Sequence, residues 1–147
     1  MKIIAVLVAL LLLWAGVADI YRQKQEILVL DEIVRFIFYV NGEIHYRSPD
    51  VESLFESARK QNYSYLTFSG YKVSCHNACD KSSQKEFAEF INRLGTTDTE
   101  GQLALCNEYS CRFSEKLNEL KINEKSKIQT SAAISLLGSM CVLILLL

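Results

Sequence analysis

Cysteines are the residues of this chain whose types and spacing best suit chemistry. The segment Cys75-His76-x-x-Cys79 is followed by Cys106 and Cys111, so thiolate and imidazole groups of the kind that bind zinc occur within one stretch. The gaps of three and four residues within the pairs are looser than the two-residue gaps typical of zinc knuckles. A zinc site is therefore one hypothesis among several.

The same two pairs also suit two disulfides, and the choice depends on the compartment. Close cysteine pairs form a disulfide framework in a secreted protein, whereas the thiols of a cytoplasmic domain stay reduced. We predict reduced thiols, with disulfides and zinc as the alternatives. A fifth cysteine, Cys141, lies in the C-terminal apolar segment and is interpreted as a small apolar side chain.

The sequence lacks the group of residues that an enzyme needs. Its two histidines are His45 and His76, and His76 precedes Cys79 by three residues, which places the pair on one face of a helix. No third group that would orient the imidazole is evident, and there is no glycine-rich phosphate loop, G-x-S-x-G or H-E-x-x-H motif. We predict no enzymatic activity, no cofactor, no metal and no small-molecule substrate.

Apart from Lys2, the charged residues are confined to the middle of the chain. All 17 acidic residues lie between Asp19 and Glu124, and residues 3–18 and 128–147 carry no charged side chain. We predict transmembrane helices at residues 1–20 and 128–147, each long enough to cross a hydrocarbon core of about 30 Å. The net charge of −1 and the absence of a basic stripe argue against nucleic acid as a partner.

Each apolar segment has an alternative interpretation. The first also fits a secretory signal peptide, because small Gly16 and Ala18 occupy the positions before a cleavage site. The second begins with small Ser131, Ala132 and Ala133, as a lipid-anchor signal does, but it lacks the polar spacer that such a signal needs. We favour two membrane helices.

The residues flanking the spans predict the topology. Arg22 and Lys24 follow the first span, and Lys121, Lys125 and Lys127 precede the second. The positive-inside rule then places the middle domain, residues 21–127, in the cytoplasm.

The middle domain has the apolar periodicity of a helical bundle. A heptad seam, widened by Ile33, Phe36 and Val40, predicts one helix that prolongs the first span through Gly42. Its seam positions are Ile27, Leu30, Val34, Ile37, Asn41 and Ile44.

A short second helix follows Ser48-Pro49. We predict Ser48 as its N-cap, Pro49 as its first residue, Asp50 in its first turn and an end near Arg59 or Lys60. Residues 62–79 carry β-favouring aromatic residues, but a lone strand has no partner in a helical chain, so we predict helix there too.

The last two helices meet at a short connection. Ser83 with Glu86 predicts a capping box for a helix that ends at Leu94, and Gly95 suits a left-handed cap. Thr97 with Glu100 predicts a second capping box, followed by a helix that runs unbroken into the C-terminal span. Because capping accounts for Gly95, Thr97 and Glu100, Asp98 and Gln102 remain as candidates for contact with a partner. The predicted fold is all-α: a small cytoplasmic helical bundle flanked by an N-terminal and a C-terminal transmembrane helix.

Two short motifs, taken together with their order along the chain, resemble the stage III sporulation protein AB family. The first is Glu43-Ile44-x-Tyr46-x-Ser48-Pro49 before a short helix, and the second is Leu94-Gly95-x-x-Asp98-x-x-x-Gln102 before a long helix and a Leu-rich end. The cysteine pairs, the aromatic segment 63–71 and Asn41-Gly42 depart from the family pattern. The residues that the resemblance marks as partner contacts or structural positions are Glu43, Ile44, Tyr46, Pro49, Leu94, Gly95, Asp98 and Gln102.

The resemblance implies a membrane protein required for endospore formation. It would lie on the mother-cell side of the outer forespore membrane, as a non-catalytic component of the channel that links mother cell and forespore. The resemblance implies a soluble part similar to the cytoplasmic domain of type II secretion F platform proteins. Its expected partners are the bilayer, the secretion-type ATPase called stage III sporulation protein AA, and other membrane proteins of the channel. The alternative is a secreted helical protein, stapled by disulfides, whose first segment is a cleaved signal peptide.

Overall fold

The structure is a computed structural model that describes the backbone of residues 2–47, 50–70 and 72–146, with side chains described chiefly between residues 20 and 127. These residues are mostly helical, as the predicted all-α class requires, with one short β-hairpin as the exception. In chain order the elements are α1 (Lys2–Arg47), α2 (Val51–Arg59), β1 (Leu66–Ser69), β2 (Lys72–Cys75), α3 (Lys81–Arg93) and α4 (Thr99–Leu146).

The chain divides into two compact units. One is Gln25–Asn118, which contains α2, α3, the hairpin and the adjoining parts of α1 and α4. The other consists of the described residues of Met1–Lys24 and Glu119–Leu147, which belong to the outer ends of α1 and α4. The buried side chains that follow all belong to the first unit.

The inner face of α1 is the apolar seam that the heptad pattern predicts. Leu30, Phe36 and Val40 have 0% of their surface exposed, and the helix continues through Gly42 without a break. Val34 is a seam position that stays partly exposed. This face provides the surface against which the other elements of the unit pack.

Phe36 lies at the centre of an aromatic cluster that joins four segments. Its ring centroid is 6.4 Å from that of Phe55 in α2 and 5.9 Å from that of Phe87 in α3. It is also 5.9 Å from Tyr63 and 6.0 Å from Phe68 in β1. The pairs with Tyr63, Phe68 and Phe87 are edge-to-face, and such pairs add about 0.5–1.5 kcal/mol each beyond the area they bury.

Helix α4 packs on this unit through both apolar and polar contacts. The Tyr109 ring lies 5.3 Å from that of Phe90 in α3, and Asn107 accepts a hydrogen bond of 2.9 Å from Asn41 in α1. On the outer surface of α4, Arg112 pairs with Glu108 at 2.7 Å, an i,i+4 ion pair of the kind that stabilises a helix surface.

Residues 62–79 contain a β-hairpin, so the helix predicted there is wrong. Strand β1 pairs antiparallel with β2 in a register that runs from Leu66↔Cys75 to Ser69↔Lys72. Gly70 follows β1 with a φ of +57°, a conformation that glycine adopts at little cost. The prediction failed because it treated the β-favouring residues as a single strand without a partner, whereas they form two strands.

Glu32 of α1 anchors the chain that leads into the hairpin. Its side chain is 5% exposed, and its two oxygens accept hydrogen bonds from the backbone N–H groups of Ser64 (2.8 Å) and Tyr65 (2.7 Å). Arg35 Nη2 lies 3.7 Å from the same carboxylate. A buried carboxylate is tolerated where it is paired and hydrogen-bonded in this way.

Two helices begin at residues other than those predicted. Asp50 has extended backbone and is the N-cap of α2, so it does not lie in the first turn; Ser48 and Pro49 lie outside the described residues. The Asp80 side chain caps α3 by accepting a hydrogen bond of 3.2 Å from the backbone N–H of Ser83. Ser83 is therefore a buried first-turn residue and not the N-cap. The predicted end of α2 at Arg59 is confirmed.

The predicted transmembrane segments, residues 1–20 and 128–147, correspond to the outer ends of α1 and α4. Most side chains of both segments, and all of residues 1 and 147, lie outside those that the structure describes. Among the residues searched, which are the described ones, no helix combines the length and the apolar character that crossing a membrane requires. The unbroken course of α4 from Thr99 to Leu146 is as predicted.

Replacing Glu32 with glutamine should destabilise the Gln25–Asn118 unit. An amide side chain has one acceptor oxygen, so one of the two backbone N–H groups loses its partner at a cost of about 1–3 kcal/mol. We expect Glu32→Gln to lower the free energy of unfolding by that amount, measured by urea titration of the full-length protein in detergent with circular dichroism. Glu26→Gln, on the same helix, is the control and should stay within about 0.5 kcal/mol of the parent. Equal stability of the two variants would contradict the anchoring role of Glu32.

Candidate functional site at the joint between the last two helices

The residues between α3 and α4, numbered 94–98 and called the joint here, carry most of the second motif. Helix α3 ends at Arg93, and the Leu94 backbone N–H donates to the carbonyl oxygens of Phe90 (3.1 Å) and Ile91 (3.3 Å). Gly95 follows with a φ of +80°, in the left-handed region that glycine favours at helix ends. The predicted glycine cap is confirmed.

Gly95 also lies directly against the start of α2. A methyl group at Gly95 would come within 2.5 Å of Val51 Cγ2, a distance that side-chain atoms do not adopt. Helix α2 follows the first motif along the chain, and Gly95 belongs to the second motif. The contact therefore brings the joint to the helix that the first motif introduces.

Asp98 is the N-cap of α4. Its Oδ1 accepts a hydrogen bond of 3.0 Å from the Gly101 N–H, and its carbonyl oxygen accepts one of 2.9 Å from the Gln102 N–H. The predicted capping box of Thr97 with Glu100 is therefore wrong, because α4 begins one residue after Asp98. Asp98 suits the N-cap position better than Thr97 does, because its carboxylate also complements the helix dipole.

Gln102 is used within the joint as well. Its Nε2 donates a hydrogen bond of 2.9 Å to the carbonyl oxygen of Thr97, and Thr96 Oγ1 donates one of 2.7 Å to that of Arg93. Asp98 and Gln102, the two residues that capping by Thr97 would have left for a partner, thus both close the joint.

The first motif lies at the end of α1, where its residues differ in exposure. Ile44 is buried at 3% exposure, and Glu43 forms an ion pair of 3.9 Å with Arg47. Tyr46 is 85% exposed, while Pro49 lies outside the described residues. Among the motif residues whose side chains are described, Tyr46 is the one that presents a large apolar surface to solvent.

Two concave surfaces flank these motifs. A cavity of about 130 Å³ beside the joint suits a few water molecules; it is bounded by Arg93, Thr96, Thr97, Gly101, Ala104, Leu105 and Glu108. An open groove of about 490 Å³ follows α2 and carries three carboxylates and one lysine; it is lined by Asp50, Glu52, Ser53, Glu56, Ser57 and Lys60. The groove suits a basic partner surface, since charge complementarity steers association.

Sequence reasoning did not identify this groove or the Val51 contact as functional features. Glu52 and Glu56 are four residues apart and therefore share one helix face, which is the signal that was available for the groove. No comparable local signal marks Val51, because its contact with Gly95 joins residues that are distant in sequence.

The second cysteine pair cannot form a disulfide within α4. Cys106 and Cys111 are five helical residues apart, which places their Cα atoms about 8.7 Å from each other, beyond the ~7 Å limit for a disulfide. Burial raises the pKa of the Cys106 thiol to about 11, whereas Cys111 is exposed. Cys106 is therefore an inert core residue.

The first cysteine pair lies together at the end of the hairpin. The interaction of the Cys75 thiol with that of Cys79 lowers the pKa of Cys75 and, together with burial, raises the pKa of Cys79. The adjacent His76 accepts a hydrogen bond at Nδ1 from the Ala78 N–H (3.2 Å). Nowhere in the described part of the chain do three or more His, Cys, Asp or Glu side chains come together as a metal site would require.

In comparisons with known proteins, no family model, curated protein or solved structure matches the chain.

Replacing Gly95 with alanine should destabilise the unit by more than backbone strain alone. The left-handed conformation costs an alanine roughly 1–2 kcal/mol, and relieving the overlap with Val51 adds about 1–3 kcal/mol. Gly70→Ala is the matched control, since Gly70 also has positive φ but open space around it. Urea unfolding of both variants should show the larger loss at Gly95.

A double-mutant cycle separates the overlap from the strain. The double variant Val51→Ala/Gly95→Ala should lose less free energy of unfolding than the sum of the losses of the two single variants. We expect the difference to be about 1 kcal/mol or more. Strict additivity of the two changes would show that the joint and α2 do not contact each other in solution.

Proposed function

We propose that this protein is a non-catalytic membrane platform, an assembly component of the channel between mother cell and forespore that is required for endospore formation. The proposal rests on the resemblance of the two motifs to stage III sporulation protein AB. The observation that carries it further is the continuity of two helices. Helix α1 spans 46 residues and α4 spans 48, and each runs from a terminal apolar segment into the Gln25–Asn118 unit.

The use of the motif residues supports a platform over a reactive site. Gly95, Asp98 and Gln102 serve to close the joint, and Ile44 is part of the core. Residues that form caps, hydrogen bonds and core contacts in this way hold the surface of the joint in one conformation. They leave no reactive group exposed in the joint. In this proposal the transmembrane helices anchor the unit, and its partners are the bilayer, the secretion-type ATPase stage III sporulation protein AA, and other membrane proteins of the channel.

Tyr46 and the acidic groove along α2 are the proposed contact surface for the ATPase. An exposed aromatic side chain buries a large apolar area on binding, and tyrosine is enriched among the residues that dominate interface energies. The carboxylates of the groove would meet basic residues of the ATPase and would make association sensitive to salt.

The ATPase contact can be tested by binding the full-length protein in detergent to the purified ATPase. Tyr46→Ala should weaken binding by about tenfold or more, as expected for an exposed aromatic anchor. Phe38→Ala is the matched control because Phe38 is also an exposed aromatic residue of α1 (57%) but lies outside the motifs. Asp98→Asn, which keeps a cap, should likewise bind as the parent does.

The outcomes distinguish whether the ATPase is the partner from whether Tyr46 is the residue that contacts it. If the parent protein does not bind the ATPase at all, the proposed function fails. If the parent binds and Tyr46→Ala binds equally well, the ATPase remains the partner but Tyr46 is not the contact.

Membrane topology is testable with Cys111, the exposed thiol of α4. The buried thiols of Cys79 and Cys106 would resist reagents on either side of a membrane and would not report. A variant that keeps only Cys111 should therefore resist an impermeant maleimide in intact cells and react once the membrane is opened. Labelling in intact cells would contradict the cytoplasmic placement and favour the secreted alternative.

A further inference from the structure

We infer that Cys75 and Cys79 form a reversible dithiol–disulfide couple, in which Cys75 is the attacking thiolate and Cys79 the resolving thiol. This inference is independent of the proposed platform function, because Cys75 and Cys79 belong to neither motif. The ligand class is a small disulfide, such as the oxidised form of glutathione.

The backbone brings the two residues together in one turn. Cys75 ends β2 opposite Leu66, and the His76 N–H extends the ladder by donating to the Tyr65 carbonyl oxygen (2.8 Å). The chain then reverses in a turn closed by a hydrogen bond of 3.2 Å from the Cys79 N–H to the His76 carbonyl oxygen. This turn returns Cys79 toward the end of β2, so the two cysteines belong to one tight turn.

The two thiols differ in the way that such a couple requires. Cys75 is half-buried and reachable, whereas Cys79 is 4% exposed. In keeping with this difference in exposure, the pKa of Cys75 is lowered by its interaction with Cys79, and that of Cys79 is raised by the same interaction and by burial. A thiolate is the nucleophile of thiol–disulfide exchange, so a small disulfide meets the reactive member of the pair first.

The proposed exchange proceeds in two steps. The Cys75 thiolate attacks one sulfur of the small disulfide, forming a mixed disulfide and releasing one small thiolate. Cys79 then loses its proton and attacks the Cys75 sulfur, which forms the intramolecular bond and releases the second small thiol. The protein is oxidised by two electrons, and the small disulfide is reduced to two thiols.

The fold does not depend on this bond. The hairpin, its turn and the start of α3 are all formed with free thiols, and Asp80 caps α3 without it. The bond would close a loop of few residues, for which the gain in stability from restricting the unfolded chain is smallest. The pair therefore suits reversible oxidation better than it suits a structural staple.

The test uses the full-length protein in detergent, equilibrated in buffers of reduced and oxidised glutathione and then alkylated. Trypsin cleaves after Lys72 and Lys81, and after Arg93 and Arg112, so each cysteine pair falls in one peptide. In oxidising buffer, peptide 73–81 should be lighter by two hydrogens and unalkylated. Peptide 94–112 is the internal control: it should carry no internal disulfide, with at most glutathione on Cys111.

Two serine variants test the order of the steps. Cys79→Ser should accumulate a mixed disulfide with glutathione on Cys75, because the resolving thiol is gone. Cys75→Ser should leave Cys79 unmodified over the same period, since Cys79 is buried. Circular dichroism should be unchanged in both.

Two results would overturn the inference. One is a peptide 73–81 that stays fully alkylated in oxidising buffer. The other is a Cys79→Ser variant that gains no glutathione on Cys75 while Cys111 does.

Discussion

The structure depends on the hydrogen bonds between the Glu32 carboxylate and the backbone N–H groups of Ser64 and Tyr65. These bonds fix the segment before β1 to the inner face of α1. Phe36 lies one helical turn further on and contacts the hairpin, α2 and α3 through their aromatic residues. A two-stranded hairpin alone is marginal in water. Here it is stabilised by the hydrogen bonds of Glu32 and the apolar contacts of Phe36, which lie on the same face of α1.

The joint between α3 and α4 is a second constraint, and it acts through the absence of a side chain. Gly95 allows α2 to approach until Val51 contacts the backbone, while Asp98 and Gln102 satisfy the exposed polar groups of the connection. The joint therefore packs against the helix that follows the first motif along the chain.

The parts of the fold governed by local periodicity could be predicted from the sequence. The seam of α1, the end of α2, the glycine cap at Gly95 and the unbroken α4 all follow from spacing and capping residues. The hairpin could not, because Glu32 and Phe36 stabilise it from positions about thirty residues away in the chain. The capping errors at α3 and α4 have one cause: serine or threonine was preferred where the side chain of a nearby aspartate, Asp80 or Asp98, forms the cap. The proximity of Cys75 to Cys79 likewise depends on the turn that follows β2.

Amide hydrogen exchange of the full-length protein in detergent tests the central role of Glu32 most directly. The Ser64 and Tyr65 amides lie outside the hairpin ladder as donors to a side chain, so their protection reports on the carboxylate alone. We expect both to exchange as slowly as the amides at the centre of α3, because they open only when the unit unfolds. Exchange of these two amides at the rate of an unprotected peptide, with α3 still protected, would contradict the anchoring of the hairpin by Glu32.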